Sequence, residues 1–250
     1  MKNFFLGMLL ISILAATGVA GEISGQIQVG YQIGSSVSSY GPYQAGIGGE
    51  FTYLPINGWL DLSGYAASTS GVKGVVGTFQ SFCIEYSEHI YPYPSIYDAT
   101  INQNAYKGGV GGGPEGDPIS VGTGWLYSQF AEGTLAGYNF SGTDSQRKAS
   151  ADLLQKAIWW LEDEYGSYSA ANPFMLAVVS SFGSQAAAKA DGGWNYGVYA
   201  LNFTATDSAK SLRQDTLYYR AIPVPDGGAT VILLGLTLAG GALVSRRLRI

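Results

Sequence analysis

The chain has 250 residues, 46% hydrophobic and 13% aromatic but only 12% charged, with 36 Gly, 18 Tyr and a formal charge of −5. Such apolar and aromatic content excludes a disordered tail, and an acidic balance with no basic cluster before the last residues excludes nucleic acid as a partner. One Cys and one His exclude an intramolecular disulfide and any Cys/His zinc module, so neither cofactor nor metal is expected.

In chain order, Met1-Lys2-Asn3 is a short positive start and Phe4 to Ala16 is apolar apart from one Ser. Gly18 and Ala20 then suit a signal-peptidase cleavage site, so residues 1–20 read as a secretion signal. From Glu22 to about Thr100 the pattern is strand-like: Ile23, Ile27, Val29, Tyr31 and Ile33 largely alternate with Ser24, Gln26, Gln28 and Gly30. Gly and Ser clusters at 34–41 and 68–74 break these runs. Thr78 to Tyr86 is predicted as a further strand, Tyr91-Pro92-Tyr93-Pro94 follows, and Gly108 to Gly116 is a loop.

Helices come next. A short one covers Trp125 to Ala131 and ends at Gly133. The strongest runs from Asp144 to Tyr165, with Leu154, Ala157, Ile158, Leu161 and Tyr165 on one apolar face, a capping box of Thr143 with Gln146, and Gly166 as C-cap. Asn172-Pro173 opens another in the N-cap and N1 positions, running to about Phe182 and resuming to Ala190. Trp194 to Phe203 and Thr216 to Ile222 return to strands. Residues 21–222 thus read as one extracellular α+β domain, β-rich with a central helical insert, and acidic, with 9 Lys/Arg against 17 Asp/Glu.

The C-terminal part holds three features in order. Val224-Pro225-Asp226-Gly227-Gly228 is turn-forming. Ala229 to Val244 is apolar, and as a helix it covers roughly 24 Å, close to a bilayer's hydrocarbon core. Arg246, Arg247 and Arg249 then form a basic tail suited to the cytoplasmic side. Motif, helix and tail together resemble the VPDSG-CTERM sorting signal of the PEP-CTERM class, with Gly228 where that motif has Ser. The resemblance covers residues 223–250. It implies a Gram-negative bacterial protein held in the inner membrane, cut near the motif by an exosortase-type enzyme, and delivered to the cell surface or extracellular matrix.

No residue is a convincing catalyst. His89 has no GxSxG elbow to serve, and reads as a surface or packed residue. Glu115 and Asp117 lack the spacing of a calcium loop and read as solvated. Cys83 is more telling. As a strand, Phe82, Ile84 and Tyr86 would share one face while Ser81, Cys83 and Glu85 share the other, so the thiol lies with the more polar set. An unpaired thiol in an oxidising compartment needs protection or a use. Gln155 stands at the border of the apolar face of the long helix with Trp159 one turn on. Attack of the Cys83 sulfur on the Gln155 carboxamide would release ammonia and leave an internal thioester.

Phe-Cys-Ile-Glu at 82–85 and Leu-Gln-x-Ala-Ile-Trp at 154–159 resemble the Cys–Gln thioester domains of bacterial surface adhesins, with Leu154 where their motif commonly has Thr. The resemblance implies that Cys83 and Gln155 form the bond, that Ala157 and Trp159 pack around it, and that a surface amine or similar nucleophile displaces the sulfur once. Two readings stand side by side: a covalent attachment module, which is not a turnover enzyme, and a non-covalent structural or carbohydrate-binding matrix protein that stacks Tyr and Trp on sugar rings.

Overall fold

The computed structural model describes residues 23–33, 36–38, 40–91, 95–106 and 116–222. The expected signal at 1–20, the sorting motif, apolar helix and basic tail at 223–250, and Glu115 lie outside the described residues. Among the described residues no helix is long and apolar enough to cross a membrane.

The fold mixes helices and strands around a curled antiparallel sheet. Its strands are Ser24–Val29 (β1), Tyr31–Ile33 (β2), Ser36–Ser38 (β3), Tyr43–Ala45 (β4), Gly48–Pro55 (β5), Phe79–Ser81 (β6), Ile96–Asn102 (β7), Asn104–Ala105 (β8), Asp117–Pro118 (β9), Val198–Ala205 (β10) and Leu212–Tyr219 (β11). Four helices, Val121–Ala131 (α1), Asp144–Leu161 (α2), Pro173–Phe182 (α3) and Gln185–Ala188 (α4), fall between β9 and β10. Seven strands make the main sheet in the order β11-β10-β7-β1-β5-β4, with β6 also paired to β5, while β2–β3 and β8–β9 pair separately. The alternation expected in β1 holds: Ile27 and Val29 are fully buried while Gln26 is exposed and Gln28 half-buried.

The expected strand from Thr78 to Tyr86 is regular only over β6. Beyond Ser81 the chain changes partner. The Ile84 N–H donates to the Asp215 carbonyl at 3.0 Å, the Leu217 N–H donates to the Phe82 carbonyl at 3.2 Å, and Cys83 forms a single bridge opposite Thr216. One edge of the sheet thereby meets the strand at its other end, and Cys83 sits on the seam. Phe82, Cys83, Ile84 and Glu85 are all buried, so the seam has no polar outer face of the kind the alternation suggested.

α2 packs on the β4–β5 hairpin. Its capping box is formed: the Gln146 N–H donates to Thr143 Oγ1 at 3.3 Å, and the Thr143 N–H donates to Gln146 Oε1 at 2.9 Å. The helix ends at Leu161, four residues before the expected Tyr165, and Gly166 is not its cap. A regular helix would continue through Glu162, Asp163 and Glu164 to Tyr165. Asp163 instead turns to a positive φ of 56°, and the Glu164 and Tyr165 N–H groups bond back to the Trp159 carbonyl. The predicted Asn172 cap and Pro173 first turn of α3 are present. Trp194 falls in a 3-10 turn, Gly193–Tyr196, rather than in the following strand. That turn presses on α1, where a Cβ at Gly124 would stand 2.7 Å from the Gly193 Cα, so only glycine permits the approach.

Candidate functional site

Cys83 and Gln155, 72 residues apart, meet at the seam. The Gln155 carboxamide lies along the Cys83 backbone: its Oε1 accepts from the Cys83 N–H at 3.0 Å, and its Nε2 donates to the Cys83 carbonyl at 2.9 Å. The same Oε1 accepts from the Gly49 N–H at 3.1 Å. The strand register explains why these groups are available. β5 and β6 pair Phe51 with Ser81, and two residues further that register would set Gly49 opposite Cys83. The ladder splits there, and the carboxamide fills the gap that the missing pair leaves. Gln155 is therefore 1% exposed rather than at a wet border, as is Cys83.

Gly48 makes the insertion possible. A Cβ there would lie 2.5 Å from Gln155 Cγ and 2.7 Å from Trp159 Cη2. Trp159, 5% exposed, covers the pair from one turn further along α2, and Ala157 is fully buried in the core. Tyr86 stands edge-on to Trp159 with ring centres 5.1 Å apart and stacks on Tyr165 at 4.2 Å. The early end of α2 thus folds Tyr165 into this aromatic cover. Beside it opens a cavity of about 500 Å³, bounded by Tyr40, Phe51, Tyr86, Glu88, Tyr91 and Trp159 among others.

The chain matches no known family model, no curated protein and no solved structure. The two resemblances therefore rest on the residues that carry them.

Electrostatically the seam opposes charge. Burial, and then the neighbouring Glu85 carboxylate, pushes the Cys83 thiol well above its ordinary range, so the sulfur carries its proton at neutral pH. Glu85 is itself pushed up to about 10, by burial first and then by Glu88, Asp215 and Glu164. Asp215 rises to about 7, chiefly by burial, although it accepts from the Tyr106 and Phe203 N–H groups and from Asn202 Nδ2.

Of the residues singled out in the sequence, Cys83 and Gln155 meet at the seam with Trp159 beside them, while Ala157 is buried in the core on another face of α2. His89 is exposed, as expected of a surface residue. Asp117 is not solvated: it lies in β9, 7% exposed, and burial ahead of its acidic neighbours raises it to about 6. Sequence reasoning missed Gly48 and Gly49, whose backbone role only the register reveals. It also missed the buried acids Glu85, Glu88, Asp215 and Glu162. Glu88 lies three residues from Glu85, but Asp215 and Glu162 reach the interior from distant segments with no common spacing.

Proposed function

We propose that the chain is an exported surface-attachment protein whose body, residues 21–222, closes an internal thioester between Cys83 and Gln155. The observation that carries this is the Gln155 carbonyl oxygen held between two backbone donors, the Cys83 and Gly49 N–H groups. Two such donors on one carbonyl stabilise the oxyanion that develops in acyl transfer, each worth about 10²–10³ in rate where measured. The Cys83 sulfur bonds to the Gln155 carbonyl carbon, the carbon–nitrogen bond breaks, and the thiol proton leaves with the nitrogen as ammonia. Because the proton passes to the leaving group, the buried thiol needs no prior ionisation. The aromatic cover of Trp159, Tyr86 and Tyr165 limits water at the acyl carbon.

An incoming amine then bonds to the same carbon, the carbon–sulfur bond breaks, and the amine's proton passes to the departing sulfur. The chain ends with an amide at Gln155 and a free Cys83 thiol, spent after one event. Export by the N-terminal signal, sorting by an exosortase-type enzyme at Val224–Gly228, and a transient inner-membrane anchor would place this chemistry at the cell surface or in the matrix. The aromatic cavity beside Trp159 also supports a second reading, non-covalent binding of a sugar-like ligand. A fluorescent primary amine decides between them. The first reading expects one label per chain on the peptide containing Gln155 and none in Cys83→Ala. A wild-type chain without label, or a variant labelled equally, would overturn it.

A further inference from the structure

We propose that Glu85, Glu88 and Asp215 form a binding site for a hard divalent cation of the calcium class, next to the seam. Each offers a carboxylate oxygen, and the three atoms lie within 4.8 Å of one another. Calcium takes about six to eight oxygens in a flexible geometry, whereas magnesium demands a near-ideal octahedron and keeps several of its waters, so a cluster of protein carboxylates suits calcium. Two further observations ask for a positive partner. Glu85 is 2% exposed, yet neither of its side-chain oxygens has a hydrogen-bond donor. Asn202, 1% exposed, fixes Asp215 through its Nδ2 at 2.6 Å and leaves its own Oδ1 without a donor. Buried oxygens that outnumber donors in this way are stabilised by a cation, since unpaired buried carboxylates are costly.

Glu88 and Gln214 line the 500 Å³ cavity, which gives an ion a path from solvent. Gln214 Nε2 also donates to the Glu85 carbonyl, holding that residue against β11. An ion that displaces the protons of Glu85 and Asp215 would face three carboxylates with its two positive charges, leaving the site slightly negative, as suits a hard cation with additional oxygen ligands. The site does not depend on the thioester, because none of its atoms belongs to Cys83 or Gln155.

The test is a thermal melt and a calorimetric titration of the purified full-length chain, stripped with a chelator and supplied with calcium at up to about 1 mM, the range of extracellular calcium modules. The expected result is one ion per chain and a midpoint raised by several degrees. That response should be lost in Glu85→Gln, weakened about tenfold or more in affinity in Glu88→Gln, and retained in Cys83→Ala. Glu88 lies at the cavity wall, so Glu88→Gln serves as the readout should Glu85→Gln fail to fold. No response of the wild type to calcium, or a full wild-type response retained in both Gln variants, would overturn the site. A magnesium response matching that of calcium would overturn the choice of ion.

Discussion

At Gln155 one carboxamide answers three backbone groups, the N–H of Gly49 and both the N–H and C=O of Cys83. Removing it leaves buried donors and an acceptor without partners, so Gln155→Ala should destabilise the chain by about 2–4 kcal/mol. Cys83→Ala loses the same cross-link but keeps the carboxamide and its three hydrogen bonds, so it should cost about 1–3 kcal/mol less than Gln155→Ala. Chemical denaturation of the two variants checks the order, and equal losses would remove Gln155 from its bracing role. Gly48→Ala is a sharper probe, because its Cβ would overlap Gln155 Cγ and Trp159. It should cost about 1–3 kcal/mol and abolish amine labelling, whereas undiminished labelling would show that the close fit is not needed. The meeting of the cysteine and the glutamine was legible in the sequence because a lone thiol and a glutamine bordering an apolar face each need an explanation. Gly49 was not, since its part is played by a backbone N–H that any residue other than proline carries.

Among the elements, α2 was the most legible and its end the least. The capping box depends on two side chains three residues apart, a local signal that tertiary packing does not disturb. The apolar stripe continued to Tyr165, but the helix ends at Leu161, Asp163 takes a positive φ, and Tyr165 turns back over Tyr86. The first half of α2 is anchored by Arg147, 3% exposed, whose Nε donates to Glu50 Oε2 at 2.9 Å and whose Nη2 reaches the other carboxylate oxygen. Tyr138 adds a hydroxyl donor at 2.6 Å, and the guanidinium lies 4.0 Å from the Tyr43 ring. Arg147→Met would strand the Glu50 charge inside and should cost about 3–5 kcal/mol. A loss below 1 kcal/mol in urea unfolding would mean that Glu50 takes up a proton at little cost. The Cys83 strand was misjudged for a related reason: periodicity cannot show that a strand changes partner halfway along.

Across the whole molecule, aromatic and acidic residues lie deeper than composition suggests. Tyr53, Tyr65, Tyr97, Tyr127, Tyr138 and Tyr218 are all core residues, so these six of the 18 tyrosines need no ligand to explain them. The β-rich mixed fold was legible from alternation and helical periodicity, but the curl that joins the two ends of the sheet was not, because it arises from long-range pairing. Burial, ahead of Asp117's charge, pushes Glu162 up to about 7. With a folded pKa above the ordinary carboxylate value, the folded state holds this proton more tightly than the unfolded one. Its stabilising contribution is therefore complete below about pH 4.5 and is lost as pH rises to about 7. The melting temperature of Glu162→Gln should accordingly fall less than that of the wild type over this window, and parallel curves would contradict the assignment. The central claim is the bond at the seam, and peptide mass spectrometry of the full-length chain, digested at mildly acidic pH without added amines, tests it most directly. The peptides carrying Cys83 and Gln155 should be joined, one ammonia lighter than their sum, and methylamine should separate them and leave a methylamide on Gln155. Two separate unmodified peptides with a free Cys83 thiol would contradict it.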